Sequence, residues 1–159
     1  MHGETSRDGA AVRFPPPLVP LIALALGLGL QCARAPLPIV PAAGLRFAVA
    51  FVLVGAGLGL VTPALRLFRV TGQDPTPWET TPAIISTGIY RFTRNPMYLG
   101  MGLLQAGIGF GLGNGWVVAL VPISWLVIYW IAIRHEEAYL THKFGAVYQD
   151  YKASVRRWL

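Results

Sequence analysis

The chain has one cysteine, Cys32. A lone cysteine excludes an internal disulfide and any cysteine-rich metal site, and within an apolar run it reads as a small buried hydrophobe. Histidine is scarce too: His2, His135 and His142. The last two share a helix face, but there is no HExxH pattern and no third ligand nearby, so no metal is expected. There is no GxGxxG or GxxxxGK[ST] in a strand–helix context and no βαβ pattern, which excludes a soluble Rossmann-type cofactor domain. Charge is sparse, at 13 % of 159 residues. The net charge of +6 suits nucleic acid or anionic lipid. The basic residues flank apolar runs and form no stripe, which favours a membrane and no nucleic-acid partner.

Apolar sequence fills the rest. Hydrophobic residues make up 54 % and the mean hydropathy is +0.52, above the roughly 45–50 % of ordinary soluble domains. A polar, then proline-rich leader covers residues 1–17. Apolar runs follow at 18–33, 47–61, 97–112 and 116–133, the last with a kink expected at Pro122. The first run is short for a perpendicular span of about 20 residues. It can also be read as a signal-peptide core with Ala33-Arg34-Ala35 as a cleavage site. Gly55 and Gly59, and again Gly107 with Gly111 and Gly109 with Gly113, have the GxxxG spacing that lets helices approach closely in lipid. The glycine-rich faces would also permit oligomers. Gly113-Asn114-Gly115 is a tight turn, so the third and fourth runs form a helical hairpin. Beyond residue 133, Leu140, Phe144, Val147, Tyr148, Tyr151 and Val155 mark one face of an amphipathic helix.

The expected fold is therefore an all-α integral membrane protein of about four transmembrane helices with a C-terminal amphipathic cytoplasmic helix. Residues 1–17 form the leader, 18–61 two transmembrane helices and 62–159 the core. Eleven Lys and Arg lie on the leader, the 62–96 segment and the tail, against Arg34 and Arg46 on the other side. By the positive-inside rule both termini and the 62–96 segment face the cytoplasm, in an inner (plasma) membrane.

That orientation brings two polar groups to one end of the hairpin. One is Arg91 and Arg94, just before the third run; the other is Glu136-Glu137, just after the fourth. Asn95-Pro96 is a helix start, with asparagine as cap. Tyr98 lies in the first turn and Gly100 leaves room beside it. Neighbouring glutamates point about 100° apart on a helix, so one can face inward while the other is solvated. Positioned arginines, tyrosines and one inward glutamate suit a zwitterionic or cationic ligand. Ordinary membrane-anchoring arginines and solvated glutamates are the plainer reading of the same charges.

The motif Gly88-Ile-Tyr-Arg-Phe-Thr-Arg-Asn-Pro-Met-Tyr-Leu-Gly100, two apolar runs, Glu136-Glu137 and Phe144-Gly145-x-x-Tyr148-x-x-Tyr151-x-x-x-Val155 together resemble the isoprenylcysteine carboxyl methyltransferase family. That family sits in a wider group of membrane methyltransferases that includes phospholipid methyltransferases. The resemblance covers residues 84–158. It implies methyl transfer from S-adenosyl-L-methionine to a small lipophilic acceptor (carboxylate, thiol or amine) drawn from the bilayer. It implies cofactor contacts from Ile85, Ser86, Tyr90, Arg94, Asn95, Pro96, Met97 and Tyr98. Of the downstream pair, Glu136 would hold the cofactor's amino end, with Glu137 second. Two positions depart from the family pattern. Asn95 replaces the family's histidine and cannot titrate near neutral pH. Ala132 stands where the eukaryotic members carry a substrate-binding arginine, which leaves Arg134 as the candidate for substrate binding or catalysis. Alignment would otherwise carry catalysis. A non-catalytic carrier of the same fold and a nicotinamide-dependent membrane reductase are the rival readings.

Overall fold

The computed structural model describes residues 8–33, 36–39 and 42–159. The start of the leader, with His2, and Arg34 of the cleavage-site reading lie outside the described residues. Within them the fold is all-helical, with no named strand and a single bridge between Pro38 and Asn114. The helices are α1 (Leu18–Cys32), α2 (Ala43–Val70), α3 (Pro96–Leu112), α4 (Gly115–Ala119), α5 (Val121–Ile128), α6 (Arg134–Phe144) and α7 (Ala146–Ser154). A 3₁₀ turn, Gly88–Arg91, precedes α3, and a π-helical turn, Tyr129–Ile133, joins α5 to α6.

Two helical rods are long and apolar enough to cross a membrane: Ala43–Val70 and the stretch Gly115–Phe144. At 1.5 Å per residue they rise about 42 and 45 Å. The first extends nine residues past the apolar run and carries Pro63 inside it. The second breaks at Leu120, just ahead of Pro122, because proline lacks the N–H that would continue the ladder.

The α2–α3 contact organises the bundle. Ala50, Gly57 and Ala64 on α2 are buried at seven-residue intervals. A Cβ on Gly57 would lie 2.9 Å from the Gly100 carbonyl, and one on Gly107 would lie 3.1 Å from that of Ala50. The helices thus meet backbone to backbone, where only glycine fits. Gly55 and Gly59 face open space, so the GxxxG expected to pack is not the seam. Gly100 likewise serves α2 and leaves no ligand space beside Tyr98.

Gly113 closes α3 at φ +66°, a left-handed conformation that suits glycine. Asn114 caps α4 by accepting the Val117 N–H (3.2 Å) and donates to the Gly27 carbonyl (3.0 Å), which ties the turn to α1. Cys32, expected to be buried, is exposed at the end of α1. The single C-terminal helix is also corrected. Gly145, at φ +52° and ψ −123°, splits it into α6 and α7, and Val147 is left 65 % exposed.

Candidate active site

The 3₁₀ turn, the start of α3 and the α6–α7 pair surround a cavity of about 120 Å³. Asn95 occupies the cap position of α3, yet its side chain makes no capping bond. Its Nδ2 donates to the Arg157 carbonyl (3.1 Å), to which the Thr93 hydroxyl also donates (3.1 Å). The Arg94 N–H donates to the Arg156 carbonyl (3.0 Å). The end of the chain therefore fixes the loop that carries Arg94 and Asn95. Pro96 starts the helix with no N–H to satisfy.

Tyr90, Arg94, Asn95, Pro96, Met97, Tyr98, Glu136 and Glu137 all line this cavity, with Ile84 and Ile85 on its apolar side. Ser86 is exposed and lies off it. Arg91, the other half of the expected cation pair, is exposed and also off the cavity. Arg134 is exposed, with its guanidinium 5.0 Å from the centre of the Trp130 ring, and does not reach the cavity. Its assignment to substrate binding has no geometric support.

The two glutamates separate as helix geometry requires, but neither is solvated. Glu137 is held by three bonds of 2.9 Å, from Arg94 Nη1, Arg157 Nε and Arg157 Nη2. Its side chain is 13 % exposed. Glu136 accepts a hydrogen bond from the buried Tyr98 hydroxyl and forms no ion pair among the described residues. The π turn widens the helix by one residue just before Glu136, a distortion frequent at functional sites.

The surrounding polar groups are set by equally specific contacts. Tyr151 donates its hydroxyl to the Tyr90 carbonyl at 2.7 Å. Burial, and then the charge of Glu136, pushes the Tyr90 phenol above its ordinary range. Burial and the neighbouring Tyr148 do the same to Tyr151. Hydrogen bonding to Glu137 raises the already basic Arg157 further. At the rim, Asp74 accepts from the hydroxyl and amide of Thr76, which lowers its carboxyl below the usual range.

Several contributors escaped the sequence reading. Gln73 and Asp74 line the cavity from the loop after α2, and Tyr139, Tyr148 and Tyr151 from α6 and α7. Ala10 closes it from the leader, where its N–H donates to the Pro77 carbonyl at 2.9 Å. The tyrosine spacing was visible as a helix face, but nothing in it distinguished a cavity wall from a membrane-facing surface. Arg157 gave no local signal, since it meets Glu137 across 20 residues.

Gln73 Oε1 and Arg94 Nε are buried here without a partner among the described residues. With an uncompensated Glu136 and apolar walls at Ile84 and Ile85, they fit a ligand that is cationic at one end and offers hydrogen-bonding groups elsewhere.

An uncharacterized protein of Haemophilus influenzae is 44 % identical over 63 residues, which covers 40 % of this chain and 100 % of that protein. No solved structure matches. The family described as phospholipid methyltransferase matches residues 45–147, from α2 through the first residues of α7. That is well over half of the chain, and it contains Tyr90, Arg94, Tyr98 and both glutamates. The chain belongs to the phospholipid methyltransferase family, a family of membrane methyltransferases.

Proposed function

We propose that the protein transfers a methyl group from S-adenosyl-L-methionine to a small lipophilic acceptor at the cytoplasmic membrane face. The observation that carries this reading is Glu136, a carboxylate on the cavity wall with a tyrosine for a partner and no cation among the described residues. A partly buried carboxylate with no counter-charge favours a positively charged ligand group. Glu136 and the Tyr98 hydroxyl would hold the amino end of the cofactor. Ile84, Ile85 and Tyr90 would wall its apolar part, and Gln73 Oε1 would accept one of its donors.

When bound, S-adenosyl-L-methionine supplies an electrophilic methyl group on a positively charged sulfur. The residues of this chain provide alignment and dryness. Glu137, braced by two arginines, fixes Arg94 and the start of α3 against α6. Tyr98 and Tyr90, 6 % and 8 % exposed, keep water from the reacting face. Alignment of this kind can lower the barrier by on the order of 7–11 kcal/mol. An anionic acceptor (carboxylate or thiolate) needs no base and gains reactivity as it loses water. Among the described residues no histidine lines the cavity, so there an amine acceptor would have to arrive neutral or lose its proton to water.

Calorimetry on the purified protein in detergent tests the reading. Heat should be released on titration with S-adenosyl-L-methionine, and silence at millimolar cofactor would sink the proposal. Glu136→Gln should weaken binding roughly 10- to 100-fold, the range set by loss of a charge-assisted bond. Glu79→Gln, at an exposed site, should leave it unchanged.

A further inference from the structure

A second cavity of about 440 Å³ lies across α3 from the first and shares no lining residue with it. Tyr98 lines the first and Leu99 the second. The second is a groove walled by Pro122, Trp125 and Leu126, and it ends at Tyr129, Trp158 and Arg157. Gly102 makes room for its inner wall: a Cβ there would lie 2.2 Å from the Trp125 indole nitrogen. That nitrogen donates to the Tyr98 carbonyl (3.1 Å), and the Trp158 ring stacks at a tilt 6.0 Å away. Leu126 is 58 % exposed, so the outer side of the groove is open along the rod.

The groove is graded in polarity. From Pro122 to Tyr129 it runs about 10 Å along the rod at 1.5 Å per residue, with apolar walls. Its end carries a cation with capacity to spare. Arg157 gives Nε and Nη2 to Glu137 and lies 5.1 Å from the centre of the Tyr129 ring. Its Nη1 bonds to no group among the described residues. Charge counting points the same way. Glu137 carries one negative charge and faces two arginines, Arg94 and Arg157. Arg157, which alone of the two lines the groove, thus shares its carboxylate with a second arginine, and it sits beside an apolar slot at a level where tryptophan and tyrosine favour a membrane interface.

We propose that this groove holds an anionic phospholipid of the surrounding bilayer, with an acyl chain between Leu99, Trp125 and Leu126 and the anionic headgroup on Arg157. The site is separate from the methyl-transfer cavity, and the proposal needs neither the cofactor nor the acceptor to be identified correctly. Charge selects the lipid: an anionic headgroup meets the free face of Arg157, which only shares Glu137, whereas a zwitterionic one brings its own cation.

The test uses the full chain in phosphatidylcholine bilayers, with bromine-labelled acyl chains as tryptophan quenchers. Brominated phosphatidylglycerol should quench several-fold more than brominated phosphatidylcholine at equal mole fraction. The excess should vanish in the Trp125→Phe/Trp158→Phe double variant, which removes the two reporters in the groove. It should also vanish in Arg157→Gln, return in Arg157→Lys and persist in Arg156→Gln, a neighbouring exposed cation. Equal quenching by the two lipids in the unmodified protein overturns the proposal, and decides it even if Arg157→Gln fails to fold. An excess that survives loss of the two tryptophans, or that Arg156→Gln abolishes, places the lipid elsewhere and overturns it as well. None of these readouts depends on methyl transfer.

Discussion

Glu136 and Glu137 are neighbours in the chain with opposite circumstances, and the difference predicts opposite failures. Glu137 anchors Arg94 and Arg157, whose side chains are 9 % and 35 % exposed. Glu137→Gln would leave both cations facing a neutral amide in a half-buried site. Removing one partner from such a cluster costs on the order of 3 kcal/mol. The apparent unfolding temperature in detergent should therefore drop clearly. Glu136→Gln keeps an oxygen that can accept from Tyr98 and removes no ion pair, so its unfolding temperature should stay close to that of the parent while cofactor binding suffers. Thermal unfolding of the two variants side by side checks this; equal losses of stability would remove the distinction. The sequence showed that the two carboxylates diverge, because that follows from helix geometry alone. Which of them meets the arginines depends on Arg157, brought back by the last residues of the chain, and no local pattern carries that information.

At the scale of elements, the apolar runs were legible and the packing between them was not. The runs became helical at their expected places, the fourth with a break at Leu120, since a 15- to 20-residue apolar stretch has few alternatives in lipid. The seam was ambiguous because α2 is rich in small residues. Gly55, Gly57 and Gly59 offer several registers, and only the approach of α3 selects Gly57. The π turn at Tyr129–Ile133 was similarly invisible, for nothing in its composition departs from an apolar helix. The chosen register is testable. Gly57→Ala sets a methyl 2.9 Å from a backbone oxygen and 2.8 Å from Leu104, and such overpacking costs about 1–3 kcal/mol. Gly55→Ala adds a methyl in open space and should be neutral or stabilise by up to about 1 kcal/mol through helix propensity. Unfolding midpoints in detergent should rank Gly55→Ala at or above the parent and Gly57→Ala below it. The reverse order would mean that the GxxxG pair forms the real contact.

For the whole molecule, both outer segments of the chain close on the same cavity. On the leader side, Asp8 pairs with Lys143 at 2.6 Å and accepts from the Tyr139 hydroxyl, while Thr80 donates to its carbonyl. On the tail side, the carbonyls of Arg156 and Arg157 hold the loop before α3. A chain ending at Ser154 would lose those acceptors and Arg157 itself, with every helix intact. Circular dichroism should then stay helical. The Arg94 amide should lose its protection from hydrogen exchange, and binding of S-adenosyl-L-methionine should disappear. Retained binding would show that the tail does not position the cavity.

Four spans would place that closure on one side of the membrane. The two long rods reach across a hydrocarbon core of about 30 Å with length to spare. α1 and α3 are shorter, at 15 and 17 residues. They end together at the opposite side, where Leu37 and Gly27 bond to the turn at Gly113–Gly115. Cys32 is exposed near that turn, and it is a native reporter of which side the turn occupies. The excess of basic residues around the cavity argues that the cavity side is cytoplasmic and the turn side external. In intact cells a membrane-impermeant maleimide should therefore label Cys32. In a Cys32→Ser background, a cysteine placed at exposed Glu79, beside the cavity loop, should react only after permeabilisation. If both positions label from one side, the chain has fewer spans than four. If they label in the opposite sense, the cavity opens to the outside, where no supply of S-adenosyl-L-methionine would reach Glu136.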